Sequence, residues 1–200
     1  MPLKSYLADG RTEVGVDEAG RGCWSGPVVA AAVILPKDFH HKLLNDSKQV
    51  SEKNRAILRQ IIEKESLAFG VAFVDHQVID QINILNASFL AMHKAIDQIQ
   101  IPFDFLLIDG NRFKPYPEHE HACIVKGDSK FKSIAAASIL AKTYRDEYML
   151  ELAKSNPNYL WEQNKGYPTQ AHVQQVMKHG LSAYHRKTYY IKAFQLGLDL

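Results

Sequence analysis

The chain predicts an α/β fold: a mixed sheet of parallel and antiparallel strands flanked by helices, with a C-terminal helical extension. Three observations predict it. Short apolar runs of strand length open the chain, and further ones then alternate with stretches of helical periodicity. Three of the strands end in acids, at Asp17-Glu18, Asp109 and Asp128. A length of 200 residues with 46% hydrophobic content suffices for one core with a small appendage.

Residues 12–17 and 27–35 read as two strands joined by a glycine-rich turn. Val14 and Val16 alternate as a half-buried strand does. Asn45-Asp46-Ser47-Lys48 is a turn. Ser51 is an N-cap for a helix whose Ile57, Leu58, Ile61 and Ile62 recur at helical spacing. Residues 67–74 form a third strand. Residues 80–99 form a long helix with Ile84, Leu85, Phe89, Met92 and Ile96 on one face.

Strands at 103–108 and 122–125 follow, ending in Asp109-Gly110-Asn111 and Lys126-Gly127-Asp128. A helix from Ser133 to about Leu152 begins with a run of alanines, which suits close packing on the sheet. Ser155-Asn156-Pro157-Asn158 breaks it and divides residues 1–154 from an extension at 155–200, with a helix near 170–178.

Composition excludes some classes. The longest apolar run, Val28 to Leu35, is eight residues, against the ~20 needed to span a bilayer. No secretory h-region opens the chain, and Cys23 and Cys123 lack metal-ligand spacing. A cytoplasmic protein with two reduced thiols, acting as a monomer away from membranes, is the expectation. Net charge is only +2, yet residues 161–200 carry five Lys/Arg against two acids. That asymmetry permits a phosphate-backbone partner.

Chemistry concentrates at Val14-Gly15-Val16-Asp17-Glu18-Ala19-Gly20-Arg21-Gly22. Adjacent carboxylates meet a turn whose glycines let the backbone approach a ligand. If the acid-bearing strands are neighbours, four carboxylates converge, and that requires a cation. Oxygen donors favour Mg²⁺ or Mn²⁺ over zinc. Two such ions would activate water and stabilise the leaving oxygen of a phosphodiester. Singly, each acid also fits a plainer role: a solvated strand end, a turn residue at Asp109, a cap at Asp128.

Other features are weaker. Glu118-His119-Glu120-His121 looks metal-like, but strand alternation separates its Glu from its His, as on a solvated edge strand. Lys48 fits a phosphate contact or an exposed lysine. Tyr167, in Gly166-Tyr167-Pro168-Thr169, fits stacking on a sugar or base, or plain packing. His172, His185 and Arg186 fit phosphate contacts or a solvated tail. Walker, dinucleotide-binding and Gly-x-Ser-x-Gly motifs are absent.

The ordered set of blocks resembles the bacterial ribonuclease HII family, the type 2 RNases H. The blocks are residues 15–22, Gly26 to Val33, Asp46-Ser47-Lys48, Ile108-Asp109-Gly110, Val125 to Ser129, Ile134 to Lys142 with Arg145-Asp146, and Asn164 to Thr169 with His172. The resemblance implies an RNase H-like fold. It implies Mn²⁺- or Mg²⁺-dependent endonucleolytic cleavage of RNA in RNA–DNA hybrids and 5′ of ribonucleotides embedded in duplex DNA. The products are 3′-OH and 5′-phosphate ends, with a role in ribonucleotide removal during DNA replication and repair. By position, Asp17, Glu18, Asp109 and Asp128 match the catalytic, metal-binding acids. Gly20-Arg21-Gly22 matches the segment that senses the 2′-OH at the RNA–DNA junction, and Tyr167 the tyrosine stacked beside it.

Three places depart from the family pattern. Cys23-Trp24 replaces a common Pro-Leu, Val50 a usual Leu, and Thr188-Tyr189 a usual Ser-Phe. None removes an acid. Two other readings compete. A 3′–5′ exonuclease typically begins with Asp-x-Glu, whereas Asp17 and Glu18 are adjacent. A non-enzymatic nucleic-acid-binding module explains the basic tail but not four converging acids.

Overall fold

The computed structural model describes residues 2–44 and 50–189. Lys48 and the turn that carries it lie outside the described residues. Five strands form one sheet: β1 (Glu13–Ala19), β2 (Val28–Ile34), β3 (Ala68–Val74), β4 (Phe105–Asp109) and β5 (Glu120–Ile124). Their order is β3-β2-β1-β4-β5. The β1–β2 and β2–β3 pairs are antiparallel, and β1–β4 and β4–β5 are parallel. The expected mixed sheet is therefore observed. Parallel pairing puts the C-terminal ends of β1, β4 and β5 on one edge, which is where the acids belong.

The helices are α1 (Glu52–Glu65), α2 (His76–Ile96), α3 (Lys132–Ser155), α4 (Trp161–Asn164) and α5 (Gln170–His179). The side-chain oxygen of Ser51 caps α1 by accepting from the Asn54 N–H. One sheet face packs on α2 through Val14, Val16, Leu106, Ile108 and Ala91. The other packs on α1 and α3 through Ala31, Val33, Leu58, Ala136 and Leu140. Strand alternation produces this split, since residues two apart share a face. Close approach of α3 is real: a Cβ on Gly15 would lie 2.2 Å from the Ser133 backbone.

Most boundaries shift by one to three residues from expectation, and two differences bear on the site. Strand β1 runs through Asp17 and Glu18, which pair with Ala31 and Ala30, so the acids lie within the strand. Helix α2 begins at His76 because Asp75 caps it, accepting from Val78 N–H at 2.9 Å. It kinks at Asn83 (φ 64°), whose Oδ1 accepts from the Asn86 N–H, 3.1 Å away, as a fresh cap does. Asp80, expected to start the helix, instead accepts from the backbone N–H groups of Lys187 and Thr188 and from the Thr188 hydroxyl. No helix among the described residues is long and apolar enough to cross a membrane. Both cysteines are free thiols.

Candidate active site

The site grows from β1 and β4. Val16 pairs with Ile108 in parallel register, so the next residues on both strands, Asp17 and Asp109, are neighbours at the sheet edge. Alternation sends Asp17 toward α3, where the Ser138 hydroxyl donates to it. Glu18 is directed the other way, beside Leu85 and Ser88 of α2. Asp17, Glu18 and Asp109 line one cavity of about 250 Å³ together with Gly20, Arg21 and Tyr167. Gly22, Ser138 and Lys142 complete its wall.

Burial pushes the Asp17 carboxyl well above the usual carboxylate range, and the charges of Glu18 and Asp109 push it further. Glu18 is also raised, chiefly by burial, although Arg21 opposes this. The Arg21 guanidinium lies 3.2 Å from Glu18 Oε1, with its own side chain half exposed. A carboxylate cluster so short of positive charge has the donor chemistry of a hard divalent cation site. Among the described residues no group of three or more His, Cys, Asp and Glu side chains is so placed that it could hold a metal ion without moving.

Asp128 sits apart from the cavity wall. It occupies a single 3₁₀ turn, Gly127–Ser129, entered through Lys126 in the left-handed region, and is 4% exposed. The neighbouring Gly127 N–H donates to Asp109 Oδ1 at 2.6 Å, tying this turn to the site. Thus three of the expected acids share a cavity, and the fourth is buried one residue from an amide that holds Asp109. The strand ends are not equivalent: β5 ends at Ile124, and the stretch from Val125 to Asp128 sets the fourth acid back.

Tyr167 is half-buried in the cavity. Lys142 and Arg145 lie 5.5 and 5.6 Å from its ring centre. Burial pushes its phenol up to about 12, so it stays neutral across the working range. Lys142 also pairs with Asp146 at 2.5 Å. Lys142 and Ser138 escaped notice as separate site residues, because an alanine-rich helix reads as packing. Their spacing of four does place both on one helix face.

Two fully buried arginines hold the glycine turn. Arg186 donates to the carbonyls of Gly20, Arg21, Gly26 and Pro27 at 2.8–3.1 Å. Arg145 donates to those of Ser25, Pro27 and Lys165 at 2.9–3.1 Å. The Trp24 N–H adds a 2.8 Å bond to Gly166 C=O, so the segment bearing Tyr167 is fastened to the turn bearing Arg21. The expectation that His172, His185 and Arg186 contact phosphate or solvate a tail is corrected: all three are fully buried. Backbone carbonyls outside regular pairing attract the guanidinium more strongly than solvent does.

The histidines form a chain of fixed tautomers. His172 Nδ1–H donates to Tyr167 C=O at 2.9 Å, leaving its Nε2 to accept from Trp161 Nε1–H. His185 Nε2–H then donates to the same His172 nitrogen, 3.2 Å away, and His185 Nδ1 accepts from the Ser182 N–H. Glu118-His119-Glu120-His121 does not act as a unit. The strand begins only at Glu120; His119 stacks on Phe103 and His121 meets the edge of Phe113.

The sequence matches the family model described as Ribonuclease HII over residues 14–192. It is 58% identical over 196 residues to the ribonuclease HII of Parabacteroides distasonis, covering 98% of each chain. It is likewise 58% identical over 189 residues to that of Porphyromonas gingivalis, covering 94% of each. Its fold is similar to the crystal structure of ribonuclease H2 from Pyrococcus horikoshii, with a TM-score of 0.75 at 22% identity, covering 94% of this chain and 98% of that one. On a match of this extent, the chain belongs to the ribonuclease HII family.

Proposed function

We propose that the protein is a divalent-metal-dependent endoribonuclease that cuts RNA in RNA–DNA hybrids and nicks duplex DNA 5′ of an embedded ribonucleotide. The observation that carries this is the single cavity joining Asp17, Glu18 and Asp109 to Gly20, Arg21, Gly22 and Tyr167. Acids for phosphodiester chemistry and backbone groups for a 2′-OH occur within one nucleotide's reach of each other.

Asp17, Glu18 and Asp109 would hold Mg²⁺ or Mn²⁺, with Asp128 closing the set from its turn. When bound, the ions supply an activated water and charge for the leaving 3′ oxygen. The protein's own residues do the positioning. Gly20 and Gly22 let backbone groups come close to the ribose, and the two buried arginines keep that turn rigid. Arg21, now the counter-charge of Glu18, is free for the substrate phosphate once that charge is balanced otherwise. Tyr167 offers a neutral ring for the sugar beyond the junction. Lys142 adds a cation to the path of the backbone. Such an activity serves removal of ribonucleotides from DNA in the cytoplasm, and one monomer contains every group invoked.

The test uses an end-labelled DNA duplex with one embedded ribonucleotide, incubated with Mg²⁺, Mn²⁺ or chelator. A single nick 5′ of the ribonucleotide, abolished by chelator, is expected. Cutting confined to longer hybrids would remove the junction-sensing role of the turn and Tyr167. No cutting of either would overturn the enzyme reading in favour of a binding module.

A further inference from the structure

A second cavity, of about 280 Å³, lies across the acids from the one that holds Tyr167. The two share Glu18, Arg21 and Asp109, so the acids form the wall between them. Its far side is different in kind. Leu85, Phe89 and Met92 of α2 supply an apolar face, and Asn111 and Arg112 form a polar rim. Ser88 also lines it, only 2% exposed, and its hydroxyl has no partner among the described residues. Asn111 and Arg112 are exposed.

A buried hydroxyl without a partner is costly, and a serine in mid-helix often avoids this by bonding back to its own helix. Ser88 does not. Its surroundings suit a group with a carbon face and one hydroxyl, followed by a phosphate. A ribose has that form, and its 2′-OH both donates and accepts. The rim guanidinium of Arg112 suits the phosphate.

We infer that this cavity seats the nucleotide immediately 5′ of the cut, with Arg112 on its phosphate and the Ser88 hydroxyl on the 2′-OH of its ribose. The inference rests on the proposed cleavage reading. That reading puts the ribonucleotide 3′ of the cut against the glycine turn and Tyr167. The strand therefore crosses the acids, and its upstream nucleotide falls on the α2 side. Ser88 thereby favours cuts inside RNA tracts, where the upstream sugar is ribose, over cuts at a DNA-to-RNA step.

The experiment uses one DNA duplex carrying two consecutive ribonucleotides, with Mg²⁺ and the full chain. A cut before the first has an upstream deoxyribose; a cut before the second has an upstream ribose. The two products differ by one nucleotide, so their ratio is internal to each reaction. Ser88→Ala should shift the ratio about fivefold toward the first cut. Arg112→Ala should raise KM about fivefold for both cuts with little change in kcat. Both substitutions leave the acids in place. An unchanged ratio in Ser88→Ala, or equal loss of both cuts, overturns the role of Ser88. An unchanged KM in Arg112→Ala overturns the phosphate contact. Absence of any cutting by the unaltered protein counts against the cleavage reading itself, which separates the two failures.

Discussion

A Cβ on Gly20 would lie 2.0 Å from Nε of Arg145. No side chain fits there without expelling the guanidinium that also holds Ser25, Pro27 and Lys165. Gly20 also has φ +96°, where an L side chain is strained in any case. Gly20→Ala should therefore cost at least about 1–3 kcal/mol from backbone strain alone. Thermal melts should show it, and preference for ribonucleotide junctions should fall with it.

Arg186→Lys should be almost as damaging, although the charge is kept. The guanidinium reaches four carbonyls and the Tyr189 hydroxyl; one ammonium cannot reproduce that fork. Loss of several of these charge-assisted hydrogen bonds should cost about 3 kcal/mol or more in total. Chemical denaturation measures this, and a variant as stable as the parent would show that the turn does not depend on Arg186.

Asp17→Asn should raise stability without metal and abolish cleavage. Burial and the charges of Glu18 and Asp109 disfavour the Asp17 carboxylate, so a neutral isostere relieves the fold. Each 1 kcal/mol relieved should raise Tm by about 2–4 °C in a chain of this size. Cleavage should fall about a thousandfold or more. Saturating Mn²⁺ should raise the Tm of the parent well above its effect on the variant.

The buried histidines give stability a distinct acid limb. Burial, then His172 and His76, hold His185 down to about 3 against an ordinary 6.5, and burial lowers His172 as well. Both are neutral when folded, as their tautomers require. Below pH 6.5 the unfolded chain gains protons that the folded chain does not. Stability is therefore lost through His185 as pH falls from 6.5 toward 3, by at most about 1.4 kcal/mol per pH unit, and His172 adds a loss of the same sign. Asp17 acts in the opposite direction, because its raised pKa favours protonation on the folded side. Glu18, also raised by burial, does the same, so melts of the Asp17→Asn/Glu18→Gln double variant at pH 7 and 5 remove both acids and should show the loss. The ring ¹⁵N shifts of His185 should remain those of a neutral imidazole at pH 5.

Much of this was legible in the sequence. Period-two alternation around Val14 and Val16 revealed β1, and the acids at the strand ends pointed to the sheet edge where Asp17 and Asp109 are neighbours. What escaped depends on contacts distant along the chain. Arg186 meets Gly20 across 166 positions, and no local pattern separates such an arginine from a solvated one. Asp80 looked like a helix start because its charge precedes an apolar stripe; it in fact receives the amides of Lys187 and Thr188. Setting Asp128 back from the cavity depended on a left-handed Lys126, which no propensity indicates.

The most direct measurement is Asp109→Asn, assayed in parallel for cleavage and for binding of an RNA–DNA hybrid. Asp109 joins both cavities and accepts the Gly127 amide, yet the asparagine isostere retains an oxygen for that bond. Cleavage should fall about a thousandfold, with hybrid affinity in the absence of metal within a few-fold of the parent. Unchanged cleavage would contradict the proposed site, because the carboxylates at the ends of β1 and β4 would then not be the reacting centre.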